Sequence, residues 1–282
     1  MKTSETMPAT HDEDMLGLGP GLLYLWTIPH DRGDTVLANR LEAILSADER
    51  NQARRFHGDE DRRLFVAARA FVRLALSRHF SIPPEEWFFT KDHNGKPLIA
   101  KPVILRSVHF SLSHTEGLIA CLISLSAEAA VDVEKHQDGQ ALVLAARQVL
   151  SSTEHNSLSM SAGDAWASRF FAHWTLKEAY AKARGLGLSL PLSEIGFELN
   201  PSRKISAHFG PGVDDDASGW LFWCCTSLPQ HTLAIAAKRD RVQGFGLILQ
   251  PVQFKGLSIV PDPYSYPSRP EFPVCMMRGS PS

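Results

Sequence analysis

Three acidic side chains carry the most chemical information in this 282-residue sequence. Asp132 and Glu134 stand two apart in the apolar run Ala129-Ala-Val-Asp-Val-Glu134. Strand alternation puts both on one face. Two like charges so placed repel, and a hard cation with oxygen ligands relieves that repulsion. A solvated strand edge carries the same pair, because charged edges discourage aggregation. The segment alone leaves the two readings level. Glu178 lies in Trp174-Thr-Leu-Lys-Glu-Ala-Tyr-Ala-Lys182, with Lys182 at i+4. Such a pair is by itself an ordinary helix contact worth about 0.3–0.5 kcal/mol.

Groups suited to phosphate occur nearby. Ser113 and His114 end the segment Phe110-Ser-Leu-Ser-His114, and Gly95-Lys96-Pro97 holds a lysine in a stiff turn. Arg62, Arg63, Arg69 and Arg73 supply guanidinium groups along one helical stretch. A solvated helix face paired with Glu60 and Asp61 accounts for the same arginines. A Ser113-His114-Asp132 triad lacks the G-x-S-x-G turn that would support it.

These residues need elements to position them. Leu22 to Ile28 is a compact apolar run closed by Pro29, a first strand. Ser46 and Glu49 have capping-box spacing, so a helix starts there and reaches Phe56. Asp61 to His79 and Ala165 to Ala183 read as two long helices, the second stopped by Gly185-Leu-Gly187. Strands are expected at 87–90, 108–112, 118–123, 129–134, 197–199, 220–225 and 233–237, with a helix at 141–150. Ser81-Ile-Pro-Pro-Glu-Glu-Trp-Phe-Phe89 echoes Ser189-Leu-Pro-Leu-Ser-Glu-Ile-Gly-Phe197, an offset of 108 residues from 81 to 189. The same offset relates Arg69 to Lys177. The echo predicts an α+β fold of two similar subdomains related by pseudo-twofold symmetry, each with a long helix on a small sheet. The expected division is a loose leader at 1–20, an N-terminal subdomain at 21–127, a C-terminal subdomain with the metal site at 128–242, and a Pro-rich tail at 243–282 that packs loosely.

Composition narrows the class. The formal net charge is −2, so no global basic field points to nucleic acid. The four cysteines have neither zinc nor disulfide-framework spacing, which fits reduced thiols and a cytoplasmic setting. The acidic start precedes any apolar run, which excludes a secretory signal there, and no window reads as a membrane span.

In this order and spacing, the motifs resemble the 4′-phosphopantetheinyl transferase superfamily, Sfp-type branch. The resemblance rests on Val131-Asp-Val-Glu134, Trp174-x-x-Lys-Glu-x-x-x-Lys182, Gly95-Lys-Pro97 and Phe110 to His114. Ala130 and Ser111 stand where the family often has Gly and Asn. The resemblance implies Asp132, Glu134 and Glu178 as Mg²⁺ ligands, with Glu178 and Lys182 catalytic and either Glu178 or a metal-bound water as the base that takes the serine proton. It implies coenzyme A as substrate, held by Arg63, Arg69, Lys96, Ser113, His114, Lys177 and Lys182. An apo acyl or peptidyl carrier protein would receive phosphopantetheine on a serine as 3′,5′-ADP leaves. The chain is expected to be a monomer, with no nucleic-acid or membrane partner. Two further readings stand beside this one: a Mg²⁺-dependent phosphodiesterase or pyrophosphatase acting on a nucleotide, and a non-catalytic carrier-binding module.

Overall fold

The computed structural model describes residues 18–261, except 20, 31–34, 105–106, 127, 138–139, 160, 200–204, 229, 240–245 and 256–257. The first apolar run forms β1 (Leu22–Pro29), and it is buried on both sides. Tyr24, Trp26 and Ile28 turn to one core, while Leu23 and Leu25 turn to another. A strand apolar on both faces needs a layer on each.

After β1 come α1 (Thr35–Ala43), α2 (Ala47–Ala53) and α3 (Asp59–His79). The hairpin β2 (Phe88–Lys91) and β3 (Pro97–Lys101) follows, then β4 (His109–Thr115) and β5 (Leu118–Ser124). The next stretch runs β6 (Ala129–Lys135), α4 (Gln140–Val149), α5 (Ser152–Ser159), α6 (Gly163–Arg184), the hairpin β7 (Ile195–Leu199) and β8 (Ile205–Phe209), then β9 (Trp220–Leu228) and β10 (His231–Lys238). The second series repeats the first, element for element. Strand order repeats as well: β1-β5-β4 in one sheet and β6-β10-β9 in the other, with antiparallel neighbours. Helices and strands together make an α+β fold.

Three cores hold the layers. Phe71, Leu74 and Ala75 of α3 pack on Trp26, Ile28, Ile119 and Ile123. Leu176, Ala179 and Tyr180 of α6 pack on Ala130, Ala234 and Ala236. Between the sheets, Leu23, Leu25, Ala120 and Leu122 meet Val131, Val133, Leu233 and Ile235. The layers are therefore α3, one sheet, the other sheet and α6. Gly185 ends α6 with φ 67, a left-handed cap that glycine adopts without a Cβ clash.

The chain after residue 242 is not loose throughout. β11 (Gly246–Lys255) lies parallel to β1, from Leu22↔Gly246 to Thr27↔Pro251, and β12 (Ser258–Pro261) pairs back on it. Val252 and Ile259 are buried in the first core, and Phe254 meets Phe71 edge-on at 6.2 Å. An open β1 edge offers unpaired backbone groups, and β11 satisfies them. Residues 262–282 of the expected tail lie outside the described residues. So do residues 1–17 of the expected leader, whose end is anchored by buried Leu18. The helix opened by Ser46, α2, stops at Ala53, short of Phe56, and α3 starts at Asp59.

Each half also contains a buried ionic latch. Ser46 and Glu49 close a capping box on α2. Glu49 then accepts two bonds from the fully buried Arg73 guanidinium, at 2.5 and 3.1 Å, and Arg73 donates to the Trp87 carbonyl at 3.3 Å. In the second half, Ser151 and Glu154 make the same reciprocal bonds before α5. Glu154 takes the Lys177 ammonium at 2.7 Å, and Lys177 donates to the Ile195 carbonyl at 2.5 Å. Trp87 and Ile195 are counterparts at the 108-residue offset seen between 81 and 189. Each latch ties a short helix, a long helix and the entry to a hairpin.

Burial pushes the Glu154 carboxyl up, but the His173 and Lys177 contacts outweigh it and hold the pKa at about 2. A carboxyl held below its unfolded value stabilises the fold above the ordinary carboxylate range. That stability is lost as pH falls through about 2. Glu154→Gln strands a buried ammonium and is predicted to destabilise by roughly 3–5 kcal/mol. Urea unfolding at pH 7 checks this, and the deficit relative to wild type should shrink toward pH 2.

Candidate active site

β6 and α6 face each other along a short ladder. Val131 and Val133 fill the core between the sheets, so alternation turns Asp132 and Glu134 toward α6. On α6, Trp174, Glu178 and Lys182 recur every four residues and form one stripe. At one end Trp174 Nε1 donates to Glu134 Oε1 at 3.1 Å. At the other, Lys182 Nζ donates to Asp132 Oδ1 at 2.6 Å. Glu178 stands on the stripe between them.

The electrostatics call for more positive charge than one ammonium supplies. Burial first, and the Asp132 charge second, raise the pKa of both Glu134 and Glu178, in spite of Lys182. Asp132 is buried, and its Oδ2 has no hydrogen-bond partner. Among the described residues, no three His, Cys, Asp or Glu side chains close into a metal cage. Mg²⁺ needs none, because it keeps several waters and takes one or two carboxylates together with substrate phosphates. An orphaned buried carboxylate oxygen, flanked by two carboxylates of raised pKa, fits such an ion.

The other half reaches this ladder through β4. Ser111 Oγ accepts from the Val131 N–H, and Ser113 Oγ from the Val133 N–H, each at 3.2 Å. Ser113 also donates to Asp132 Oδ1 at 2.9 Å and accepts from Lys182 at 3.0 Å. From the β2–β3 turn, where Gly95 adopts φ 86, Lys96 Nζ donates to the Ala183 carbonyl at 3.3 Å, one residue past Lys182. Positive charge gathers beside the carboxylates. His114 lies at the exposed rim. Its pKa is lowered by partial loss of water first, then by the charges of Lys182 and Arg69, with a smaller push from His30. Arg69 stacks over the Phe65 ring at 5.3 Å and has no salt bridge among the described residues.

The structure thus gathers Asp132, Glu134, Glu178, Lys182, Ser113, His114, Arg69 and Lys96. It leaves out two residues. Lys177 is fully buried and faces away from the carboxylates. Its ammonium is enclosed by Glu154 and the carbonyls of Val149, Leu192 and Ile195, so it cannot hold a ligand. Its assignment as a coenzyme A contact is corrected to a structural one. Arg63 lines a separate hollow of about 160 Å³ between α1 and α3, with Thr35, Glu42, Asp59 and Arg62. It makes no contact with the carboxylates among the described residues. Sequence reasoning missed three contributors: the Trp174 N–H, Ser111, and His30, which follows β1. The four-residue recurrence with Glu178 and Lys182 signalled Trp174, and the Ser-x-Ser alternation on β4 signalled Ser111.

Sequence comparison places the chain in a family. Residues 128–236 match the sequence model of the 4′-phosphopantetheinyl transferase superfamily, and residues 36–126 match that of the 4′-phosphopantetheinyl transferase N-terminal region. The 4′-phosphopantetheinyl transferase HetI of Nostoc sp. is 31% identical over 189 residues, covering 67% of this chain and 79% of HetI. The 4′-phosphopantetheinyl transferase Sfp of Bacillus subtilis is 28% identical over 167 residues, 59% of this chain and 72% of Sfp. A phosphopantetheinyl transferase of Thraustochytrium sp. is 28% identical over 227 residues, 77% of this chain and 76% of its own. The chain belongs to the 4′-phosphopantetheinyl transferase superfamily. It is an enzyme of the phosphopantetheinyl transferase class.

Trp174→Phe keeps the ring but removes the donor to Glu134. Outer hydrogen bonds of this kind are worth on the order of tenfold in metal affinity. If Glu134 holds a divalent cation, the variant should need about tenfold more Mg²⁺ for half-maximal transfer, read from a Mg²⁺ titration of the initial rate.

Proposed function

We propose that this enzyme transfers the 4′-phosphopantetheine group of coenzyme A to a serine of an apo acyl or peptidyl carrier protein, releases 3′,5′-ADP, and depends on Mg²⁺. The observation that carries the reading is the bipolar ladder. Asp132, with its orphaned Oδ2, and Glu134 and Glu178 form an acidic side, while His114, Arg69, Lys96 and Lys182 form a basic side. A pyrophosphate bridged to a divalent cation matches both sides at once.

Asp132, Glu134 and Glu178 would hold the ion, which when bound neutralises charge on the pyrophosphate and orients it. His114, Arg69 and Lys96 hold coenzyme A phosphates. The carrier serine oxygen bonds to the β-phosphorus as the bond from that phosphorus to the 3′,5′-ADP oxygen breaks. Glu178 takes the serine proton. Trp174 engages Glu134, and Lys182 and Ser113 engage Asp132, whereas Glu178 has no hydrogen bond among the described residues. Lys182 stabilises the negative charge on the departing 3′,5′-ADP. The pathway is cytoplasmic and the enzyme a monomer in this reading. Among the described residues no helix is long and apolar enough to cross a membrane.

The two halves, 21–127 and 128–242, are read as duplicated subdomains about an approximate twofold axis. Repeated element order and twin latches support this. The two sequence matches also part between residues 126 and 128.

Intact mass spectrometry of an apo carrier protein, after incubation with coenzyme A, Mg²⁺ and enzyme, tests the reading. The expected result is a gain of one phosphopantetheine, which chelation of Mg²⁺ abolishes. Hydrolysis of coenzyme A with no gain on several carriers would favour a phosphodiesterase and sink the transferase reading. Asp132→Asn should fold normally and lose at least about 100-fold in rate, since metal charge stabilisation is worth several kcal/mol. Lys182→Ala should lower kcat by roughly 100-fold with coenzyme A still bound, as removal of one preorganised donor does.

A further inference from the structure

We infer that Asp92 is a positioning residue, whose side-chain oxygen folds the β2–β3 turn so that Lys96 is held at the C-terminal end of α6, where it meets a phosphate of coenzyme A. The inference rests on the transferase reading above, which gives Lys96 that phosphate. Residues 92–96 link β2 to β3. Asp92 Oδ1 accepts from the Asn94 N–H and from the Lys96 N–H, each at 2.9 Å. The Asp92 N–H donates to the Lys96 carbonyl at 2.9 Å, and the Gly95 N–H donates to the Asp92 carbonyl at 3.0 Å. One residue thus closes the turn with both its backbone and its side chain. Gly95, at φ 86, supplies the left-handed step between Asn94 and Lys96.

The closed turn is docked on the other half. Lys96 Nζ donates to the Ala183 carbonyl at 3.3 Å. A Cβ added to Gly185 would stand 3.8 Å from Asn94 Nδ2 and 4.0 Å from Lys96 Cδ, so the turn lies beside the glycine cap of α6. The shape of the turn therefore decides where the Lys96 ammonium stands relative to the carboxylate ladder. The Asp92–Asn94 bond lies at the exposed surface. Water replaces it there without stranding a buried donor, so its loss costs the fold little and costs the turn its single shape. Asp92 also acts on the Lys96 ammonium by charge. Shape and charge are separable. Asparagine keeps the accepting oxygen and drops the charge, whereas glutamate keeps the charge and moves the oxygen out by one methylene.

Coenzyme A affinity is measured by calorimetry in Mg²⁺, with no carrier present. The proteins are wild type, Asp92→Ala, Asp92→Glu, Asp92→Asn, Lys96→Ala and the double variant Asp92→Ala with Lys96→Ala. Asp92→Ala and Asp92→Glu should each weaken coenzyme A by roughly tenfold, the scale of one hydrogen bond to a charged group. Asp92→Asn should bind as wild type does. Lys96→Ala should weaken binding by about tenfold or more. The double variant should bind no more weakly than Lys96→Ala, because Asp92 acts through Lys96. Thermal midpoints of the Asp92 variants should stay within about 2 °C of wild type, as for surface substitutions. If Asp92→Ala does not fold, Asp92→Glu takes its place in the double variant.

Unchanged affinity in either Asp92→Ala or Asp92→Glu would overturn the inference. It is equally overturned if Asp92→Asn loses as much as Asp92→Ala, which makes charge the cause. Losses that add in the double variant would separate Asp92 from Lys96 and also overturn it, as would an unchanged affinity in Lys96→Ala, which leaves no contact to position. A wild-type enzyme that binds coenzyme A but modifies no carrier would instead remove the transferase reading, and the affinity comparison still decides the role of Asp92.

Discussion

The whole site hangs on an edge of sheet that no strand covers. Val131 and Val133 of β6 aim their N–H groups away from β10, and the Ser111 and Ser113 hydroxyls of β4 meet them. Buried amides left unpaired are costly, so these two bonds fix β4 against β6 in one register. That register sets Asp132 against Lys182 and Ser113. It also puts the positive groups of the first half beside the acidic groups of the second. The carboxylate ladder itself lies on β6 and α6 of the second half, and the junction brings Ser113, His114, Arg69 and Lys96 of the first half to it.

The repeated topology makes the contrast between halves informative. Tyr24 and Trp26 occupy the helix-facing positions of β1, as Asp132 and Glu134 do on β6. Aligned on the latches, which pair Arg73 with Lys177, Trp174 and Glu178 correspond to Ala70 and Leu74 of α3, both buried. One half fills the helix–sheet contact with apolar side chains. The other opens the same place to charge, which Lys182 and the seam hold. The latches of Glu49 with Arg73 and Glu154 with Lys177 keep each long helix fixed while this exchange is made.

Much of this was legible in the sequence because its signals are local. Asp-x-Glu on a strand and a four-residue recurrence on a helix specify faces, and faces specify the ladder. The capping box at Ser46 and Glu49 was equally readable, although its partner Arg73 was not, since buried ion pairs link distant segments. Lys177 was misjudged for that reason. The echo equates it with Arg69, but its carboxylate partner Glu154 and three carbonyl acceptors come from separate parts of the chain. The stretch from Gly246 to Pro261 was misjudged because the prolines gathered beyond it coloured the reading of the whole tail, although Leu, Ile, Val and Phe outnumber Pro and Gly within it. Its order comes from the open edge of β1, a demand set more than two hundred residues earlier.

The central claim is that the junction is one site, with Asp132 Oδ2 turned to a divalent cation that also holds the coenzyme A pyrophosphate. A crystal of the enzyme with coenzyme A and Mn²⁺ in place of Mg²⁺ tests this through the anomalous signal of the metal. The account predicts a single strong peak about 2.1 Å from Asp132 Oδ2, with Glu134, Glu178 and pyrophosphate oxygens completing the protein and substrate ligands. A peak bound only to coenzyme A, away from Asp132, or no anomalous peak beside the carboxylates, would contradict it.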